Sequence, residues 1–218
     1  MSRADPSTLF ADNPVIAVLR AGHAREYPPV IGALVAGGVR LIELTLSTEA
    51  VFDELDSLRA EFGRAASIGI GTVTTREQAQ ASLDGGAEFV VTPTTEPDVI
   101  KVAVDAGVPV FPGGLTPTEL YRSWSSGASA VKLFPASSVG PGYIGQLLGP
   151  FPDLKVIPSG GVGIEDAAEW IDAGAVAVSL GGPLVGDAFA GGDIAALTGR
   201  ARRLTTIVRD AVDRKARR

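Results

Sequence analysis

The stretch SSGASAVKLF, residues 125–134, carries the pattern on which the fold turns. A helical run stops at Gly127, and the chain continues as a short apolar segment of strand length. This is the signature of a helix ended by glycine and followed by a buried strand. The same phrase recurs as AGGVRLIEL (36–44), DGGAEFVV (84–91), DAGVPVF (105–111) and DAGAVAVSL (172–180). Helical patterns such as REQAQASL (76–83) and IEDAAEWI (164–171) precede the glycines. Three further apolar runs complete the set: PVIAVLR (14–20), SIGIGTV (67–73) and LKVIPSGG (154–161). Strands alternating with helices predict right-handed crossovers and a parallel sheet. About eight such units in little over 200 residues predict an α/β fold of the (β/α)8 TIM-barrel type. A doubly wound open sheet is disfavoured, because no G-x-G-x-x-G turn follows the first strand. Residues 1–218 read as a single TIM-barrel domain, with a short N-terminal helix, PSTLFAD (6–12), capping its bottom.

Composition limits the partners. The chain is 45% hydrophobic with a net charge of −6, and it shows no basic patch for nucleic acid. The basic tail from Arg200 to Arg218 is interrupted by Asp210 and Asp213, as on a solvated helix face. Cysteine is absent, which removes disulfides, thiol nucleophiles and thiolate metal ligands. No apolar run reaches membrane-spanning length, and the N-terminus lacks the apolar core of a signal peptide. The expectation is a soluble cytoplasmic protein that binds neither membrane nor nucleic acid.

In a TIM barrel the chemistry lies at the C-terminal ends of the strands. Read in order, those ends carry Arg20; Glu43, Thr45 and Ser47; Thr72; Thr92 and Pro93; Pro112 and Gly113; Lys132, Phe134 and Pro135; Ser159, Gly160 and Gly161; and Gly181 and Gly182. Strand side chains alternate between faces. In LIELTL, Ile42, Leu44 and Leu46 suit the helix layer, so Leu41, Glu43 and Thr45 point inward. In AVKLF, Val131 and Leu133 face the helices, while Lys132 and Phe134 point inward. Parity therefore puts a carboxylate and an amine inside one barrel.

Two readings of that pair compete. A structural Glu43–Lys132 ion pair costs desolvation and often gains nothing over apolar packing. The functional reading is a nucleophilic amine with an acid/base partner. Apolar surroundings favour the neutral form of a lysine, which is the form that attacks a carbonyl. Lys101 on a helical run, Lys155 at a strand start and Lys215 in the charged tail are poor competitors. The glycines form a second constellation. PSGGV (158–162) and SLGGPL (179–184) end the seventh and eighth strands, where barrels place phosphate-binding loops. Ser159, Gly160, Gly161, Gly181 and Gly182 are the candidates. No metal site is expected: His23 is the only histidine and reads as a loop residue, and Glu43 lacks a carboxylate partner at another strand end.

Several of these segments resemble a known family. IAVLR, VRLIELTL, IGIGTV, VVTP, VKLFPAS and PSGGV follow the order and spacing of the 2-keto-3-deoxy-6-phosphogluconate (KDPG) / 4-hydroxy-2-oxoglutarate (KHG) aldolases. The resemblance implies a metal-independent class I aldolase without a cofactor, a homotrimer that forms a Schiff base with pyruvate. By motif, Lys132 resembles the Schiff-base lysine and Glu43 the general acid/base. Thr72 matches the pyruvate-carboxylate position, Arg20 an active-site position after the first strand, and Pro93 and Phe134 the walls of the pyruvate pocket. Two positions depart from the phosphogluconate type. Ser47 stands where many members carry a substrate-binding arginine, and Pro183 where many carry a phosphate-contacting serine. Ser47, FPASSVGPGYIGQL and AEWIDAGA resemble the 2-keto-3-deoxy-6-phosphogalactonate (KDPGal) branch. The implied substrate is a phosphorylated 2-keto-3-deoxy acid of either type, with KHG as a further one. Two alternatives stand beside it: a phosphate-binding barrel isomerase or epimerase using Glu43 as base, and a non-catalytic sugar-acid-binding barrel.

Overall fold

The computed structural model of the chain describes residues 3–11 and 13–217. Eight parallel strands form one sheet: β1 (Val15–Leu19), β2 (Leu41–Thr45), β3 (Ser67–Gly71), β4 (Val90–Thr92), β5 (Val110–Gly114), β6 (Val131–Leu133), β7 (Val156–Pro158) and β8 (Val178–Leu180). Their order, β7-β6-β5-β4-β3-β2-β1-β8, is sequential around a ring. Its ends meet through a parallel bridge between Ser159 and Ser179, and through the Val176 N–H donating to the Val156 carbonyl at 3.0 Å. The result is the expected TIM barrel, closed lightly between β7 and β8.

Helices fill the crossovers: α1 (Ser7–Phe10) before the barrel, then α2 (Tyr27–Ala36), α3 (Val51–Phe62), α4 (Arg76–Asp84), α5 (Pro97–Asp105), α6 (Pro117–Ser125), α7 (Gly142–Leu148), α8 (Ala167–Asp172), α9 (Gly182–Val185) and α10 (Ile194–Ala216). The repeated glycine phrase has a local cause. At Gly127 the backbone is left-handed (φ 100°), the Gly127 N–H bonds the Trp124 carbonyl at 3.1 Å, and the Ala128 N–H bonds the Ser123 carbonyl at 3.3 Å. This pair of reversed bonds closes the helix and turns the chain back into the sheet, in a conformation glycine adopts without a Cβ penalty. The same two bonds recur after α2, α4, α5 and α8.

Two apolar layers follow from strand parity. Ile42, Leu44, Val131 and Leu133 join the large cluster between strands and helices. Ile16, Leu41, Phe89, Val91, Phe111, Ala130, Ile157 and Ala177 fill the lower bore. Leu9 and Phe10 of α1 pack on that inner set, with the Phe10 and Phe111 rings 5.8 Å apart. The N-terminal helix thus caps the barrel bottom, over Ser7–Phe10; Asp12, which the sequence reading included, lies outside the described residues. With the bottom plugged by apolar groups, polar groups entering the bore do so from the top.

Candidate active site

Glu43 and Lys132 are the two charged side chains buried among the described residues. They project from β2 and β6, four strands apart on the ring and therefore facing each other across the bore. Lys132 Nζ lies 3.6 Å from Glu43 Oε1, with the side chains 9% and 2% exposed. Glu43 Oε2 is buried with no hydrogen-bond partner among the described residues. Leaving a polar atom so placed is costly unless something else meets it.

The neighbouring strand makes room for this carboxylate. Gly71, at the end of β3, pairs with Thr45 of β2. A Cβ there would overlap Glu43 Oε1 and sit 2.6 Å from its Cδ. Two residues earlier, a side chain at Gly69 would overlap the Phe89 ring. Both glycines of the IGIG run therefore serve as hollows for a facing side chain, a use glycine has inside strands. Glycine in a strand interior is the sequence signal for such a hollow, and the facing side chain that fills it is fixed only by the fold.

The predicted site residues fall at the upper rim. The Phe134 ring is 37% exposed, and its centroid lies 5.5 Å from Lys132 Nζ. Thr72, just after β3, has φ 62°. A β-branched residue in the left-handed region is strained, and such strain concentrates at functional positions. Pro93 follows β4, and its carbonyl packs where a side chain at Gly113 would go. Arg20 is exposed at the end of β1 and makes no hydrogen bond or ion pair among the described residues. It lines a cleft of about 520 Å³ with Val18, Gly181, Gly182 and Phe189. Ser47 is exposed in the loop after β2, its Oγ 3.0 Å from Thr45 Oγ1.

The two glycine loops differ. Gly160 and Gly161 both have left-handed backbones (φ 82° and 79°) and lie against the Phe134–Ser137 segment. A side chain at Gly160 would touch the Phe134 ring at 2.9 Å, and the Ser137 N–H bonds the Gly160 carbonyl at 3.0 Å. Gly182 opens α9 with nothing among the described residues within 4 Å of its Cβ position, so this side of the cleft is open. Arg200 of α10 holds the other end of α9, donating to the Leu184 and Val185 carbonyls at 2.8 and 2.9 Å. Ser159 turns its hydroxyl into the bore, 3.2 Å from Ser179 Oγ, rather than toward the cleft. His23 serves a helical turn: its Nδ1 accepts from the Arg25 N–H, and its own N–H donates to Glu26 Oε1. Lys101 is paired with Asp105 on α5, and Lys155 with Asp5 at the barrel bottom.

Chemically, the bore offers an amine that can add to a carbonyl and a carboxylate within proton-transfer reach. The rim offers an aromatic wall and an unpaired guanidinium.

The chain is also similar to known proteins. The family described as KDPG and KHG aldolase matches residues 7–198. A 2-dehydro-3-deoxy-6-phosphogalactonate aldolase of Escherichia coli strain K12 is 37% identical over 172 residues, covering 78% of this chain and 84% of the relative. A KHG/KDPG aldolase of the same strain is 32% identical over 202 residues, covering 92% and 90%. A crystal structure of KDPG aldolase from Legionella pneumophila, with pyruvate captured at low pH as a covalent carbinolamine intermediate, superposes with a TM-score of 0.84. It is 27% identical, covering 92% of this chain and 98% of that one.

Proposed function

The chain belongs to the KDPG and KHG aldolase family, and from that premise we propose that Lys132 is the amine on which it forms a Schiff base with its keto-acid substrate. The reaction is the metal-independent, cofactor-free cleavage of a 2-keto-3-deoxy-6-phospho acid, of the gluconate or galactonate type, to pyruvate and glyceraldehyde 3-phosphate. KHG, cleaved to pyruvate and glyoxylate, is a further substrate to assay beside it. The observation that carries the reading is the buried amine 3.6 Å from a buried carboxylate in a bore open only at the top.

The steps follow from those two groups. Lys132 passes a proton to Glu43, and its neutral Nζ adds to the C2 ketone and gives a carbinolamine. Glu43 supplies the proton with which the C2 hydroxyl leaves as water, and a protonated imine remains. The imine draws the C3–C4 electron pair as the Glu43 carboxylate, left basic by the previous step, takes the C4 hydroxyl proton, directly or through water, so that bond breaks to an enamine and an aldehyde. Glu43 returns a proton to C3, and water adds to the imine to release pyruvate and the free lysine. Glu43 Oε2, which has no partner of its own, is the oxygen available for this traffic. Thr72 and Arg20 orient the carboxylate and neighbouring anionic oxygens, while Pro93 and Phe134 wall the pyruvate pocket. Ser47 faces the substrate from the β2 loop. Gly160, Gly161, Gly181 and Gly182, with the Ser159 backbone, line the phosphate end. Pro183 gives that end neither a hydroxyl nor an N–H.

Borohydride reduction in the presence of pyruvate, followed by peptide mapping, tests the assignment. A stable pyruvate adduct confined to Lys132 is expected. Folded protein with no adduct on that lysine would overturn it. The same family reading extends to a cytoplasmic homotrimer. Light scattering is expected to give three times the chain mass, and a monomer would remove that part alone.

A further inference from the structure

We propose that Thr45, with Tyr27 and Thr48, forms a clamp on the backbone of Arg20 that fixes where its guanidinium meets the anionic part of the substrate. The inference rests on the aldolase reading above and adds positioning residues to it.

Both peptide units flanking Arg20 are held by side chains. The Leu19 carbonyl accepts from Thr45 Oγ1 at 3.0 Å and from the Tyr27 hydroxyl at 3.4 Å. The Ala21 N–H donates to Thr48 Oγ1 at 3.1 Å. All three side chains are buried: Thr45 and Tyr27 fully, Thr48 at 4% exposure. Beyond the strand ends the two loops stay laced together, with the Ala24 N–H bonding the Glu49 carbonyl at 2.9 Å and the Glu49 N–H bonding the Gly22 carbonyl at 3.3 Å.

The hydroxyls also have a direction. Thr45 Oγ1 gives its single proton to the Leu19 carbonyl, so its contact with Ser47 Oγ at 3.0 Å is one in which Ser47 donates. A relay therefore runs from Ser47 through Thr45 to the peptide before Arg20. Burial pushes the Tyr27 phenol up to about 12, so it remains a donor at any working pH. Against this fixed backbone the Arg20 head group is unpartnered and faces the cleft beside Gly181 and Gly182. An arginine held ready without a partner meets an anion at little ordering cost.

A role confined to supporting the loop would not show through Arg20, which gives the test. Thr45→Val keeps the shape and removes the hydroxyl. It is expected to raise KM for the phosphorylated keto acid about tenfold, with kcat changed by less than about twofold. Thr45→Ser, which restores the hydroxyl, should recover most of the loss. In an Arg20→Ala background, Thr45→Val should change KM by less than about twofold, because the two act as one unit. Multiplicative KM effects in the double variant, or a loss confined to kcat, would overturn the clamp. Should Thr45→Val fail to fold, Tyr27→Phe and Thr48→Val enter the same cycle and are judged by the same outcomes. Pyruvate trapping on wild-type Lys132 is read separately, so failure of the aldolase reading is distinguishable from failure of the clamp.

Discussion

Replacing Lys132 by alanine abolishes turnover and borohydride-dependent capture of pyruvate together, with kcat reduced by about 10⁴-fold or more. No other described lysine can take over. Lys101 and Lys155 lie on the outside of the barrel in ion pairs, and Lys215 is exposed in the last turn of α10. The alanine variant also leaves Glu43 buried without its cation, which typically costs about 3–5 kcal/mol of stability. Loss of activity must therefore be separated from loss of fold. Lys132→Arg does this, since a guanidinium keeps the positive charge beside Glu43 but does not form the imine. Far-ultraviolet circular dichroism and thermal melting should show Lys132→Arg folded, while single-turnover assays show it inactive. Retained turnover or a persisting adduct in either variant would remove Lys132 from its role.

The second large effect is expected on β3, one strand from Glu43 and three from Lys132. Gly71→Ala should lower kcat by about 10²-fold or more, matching Glu43→Gln, although alanine is chemically inert. The added methyl would occupy space that Glu43 Oε1 and Cγ now fill. Interiors packed at crystal density yield to such an overlap by moving a side chain or the backbone, not by compressing. Either response carries the carboxylate away from Lys132 Nζ. Proton exchange at the methyl group of pyruvate, followed by nuclear magnetic resonance, reads the enamine step directly. It should slow in Gly71→Ala as in Glu43→Gln, while pyruvate remains trappable on Lys132. Gly142→Ala in α7, where nothing lies within 4 Å of the Cβ position, is the matched control. Exchange at the wild-type rate in Gly71→Ala would show that Glu43 has room to move without consequence.

The fold was legible because its determinants are local. The glycine that closes α2, α4, α5, α6 and α8 is held by bonds spanning at most six residues, so the phrase around it survives in the sequence at those five crossovers. The inward placement of Glu43 and Lys132 was also legible, since strand parity needs only a short window. What parity could not give is the 3.6 Å between them, which depends on the tilt and stagger of strands on opposite sides of the ring. Tyr27 carries no signal in the sequence, because it opens α2 and its phenol reaches back to β1 only in three dimensions. Thr72 was placed at the rim by motif, but its left-handed backbone contradicts the preference of its own side chain. Ser159 stood in sequence beside two loop glycines. Its hydroxyl instead faces Ser179, a neighbour created by ring closure.

That closure gives the molecule a clasp. The other adjacent strands are paired in register, β3 and β4 at the single position Ile70–Val90 with three backbone bonds around it, whereas β7 and β8 share the Ser159–Ser179 contact and the Val176 bond. A hoop under thermal stress parts where its fastening is thinnest, and opening free energies follow the bonds that must break. The Val176 amide should therefore exchange with solvent before those of Ile42 and Leu44 in the well-laddered β2. The lips of that seam lead directly into the PSGG and GGP loops. Any breathing of the hoop would be felt first at the end of the site assigned to the phosphate, leaving the amine and carboxylate on the stiffer arc.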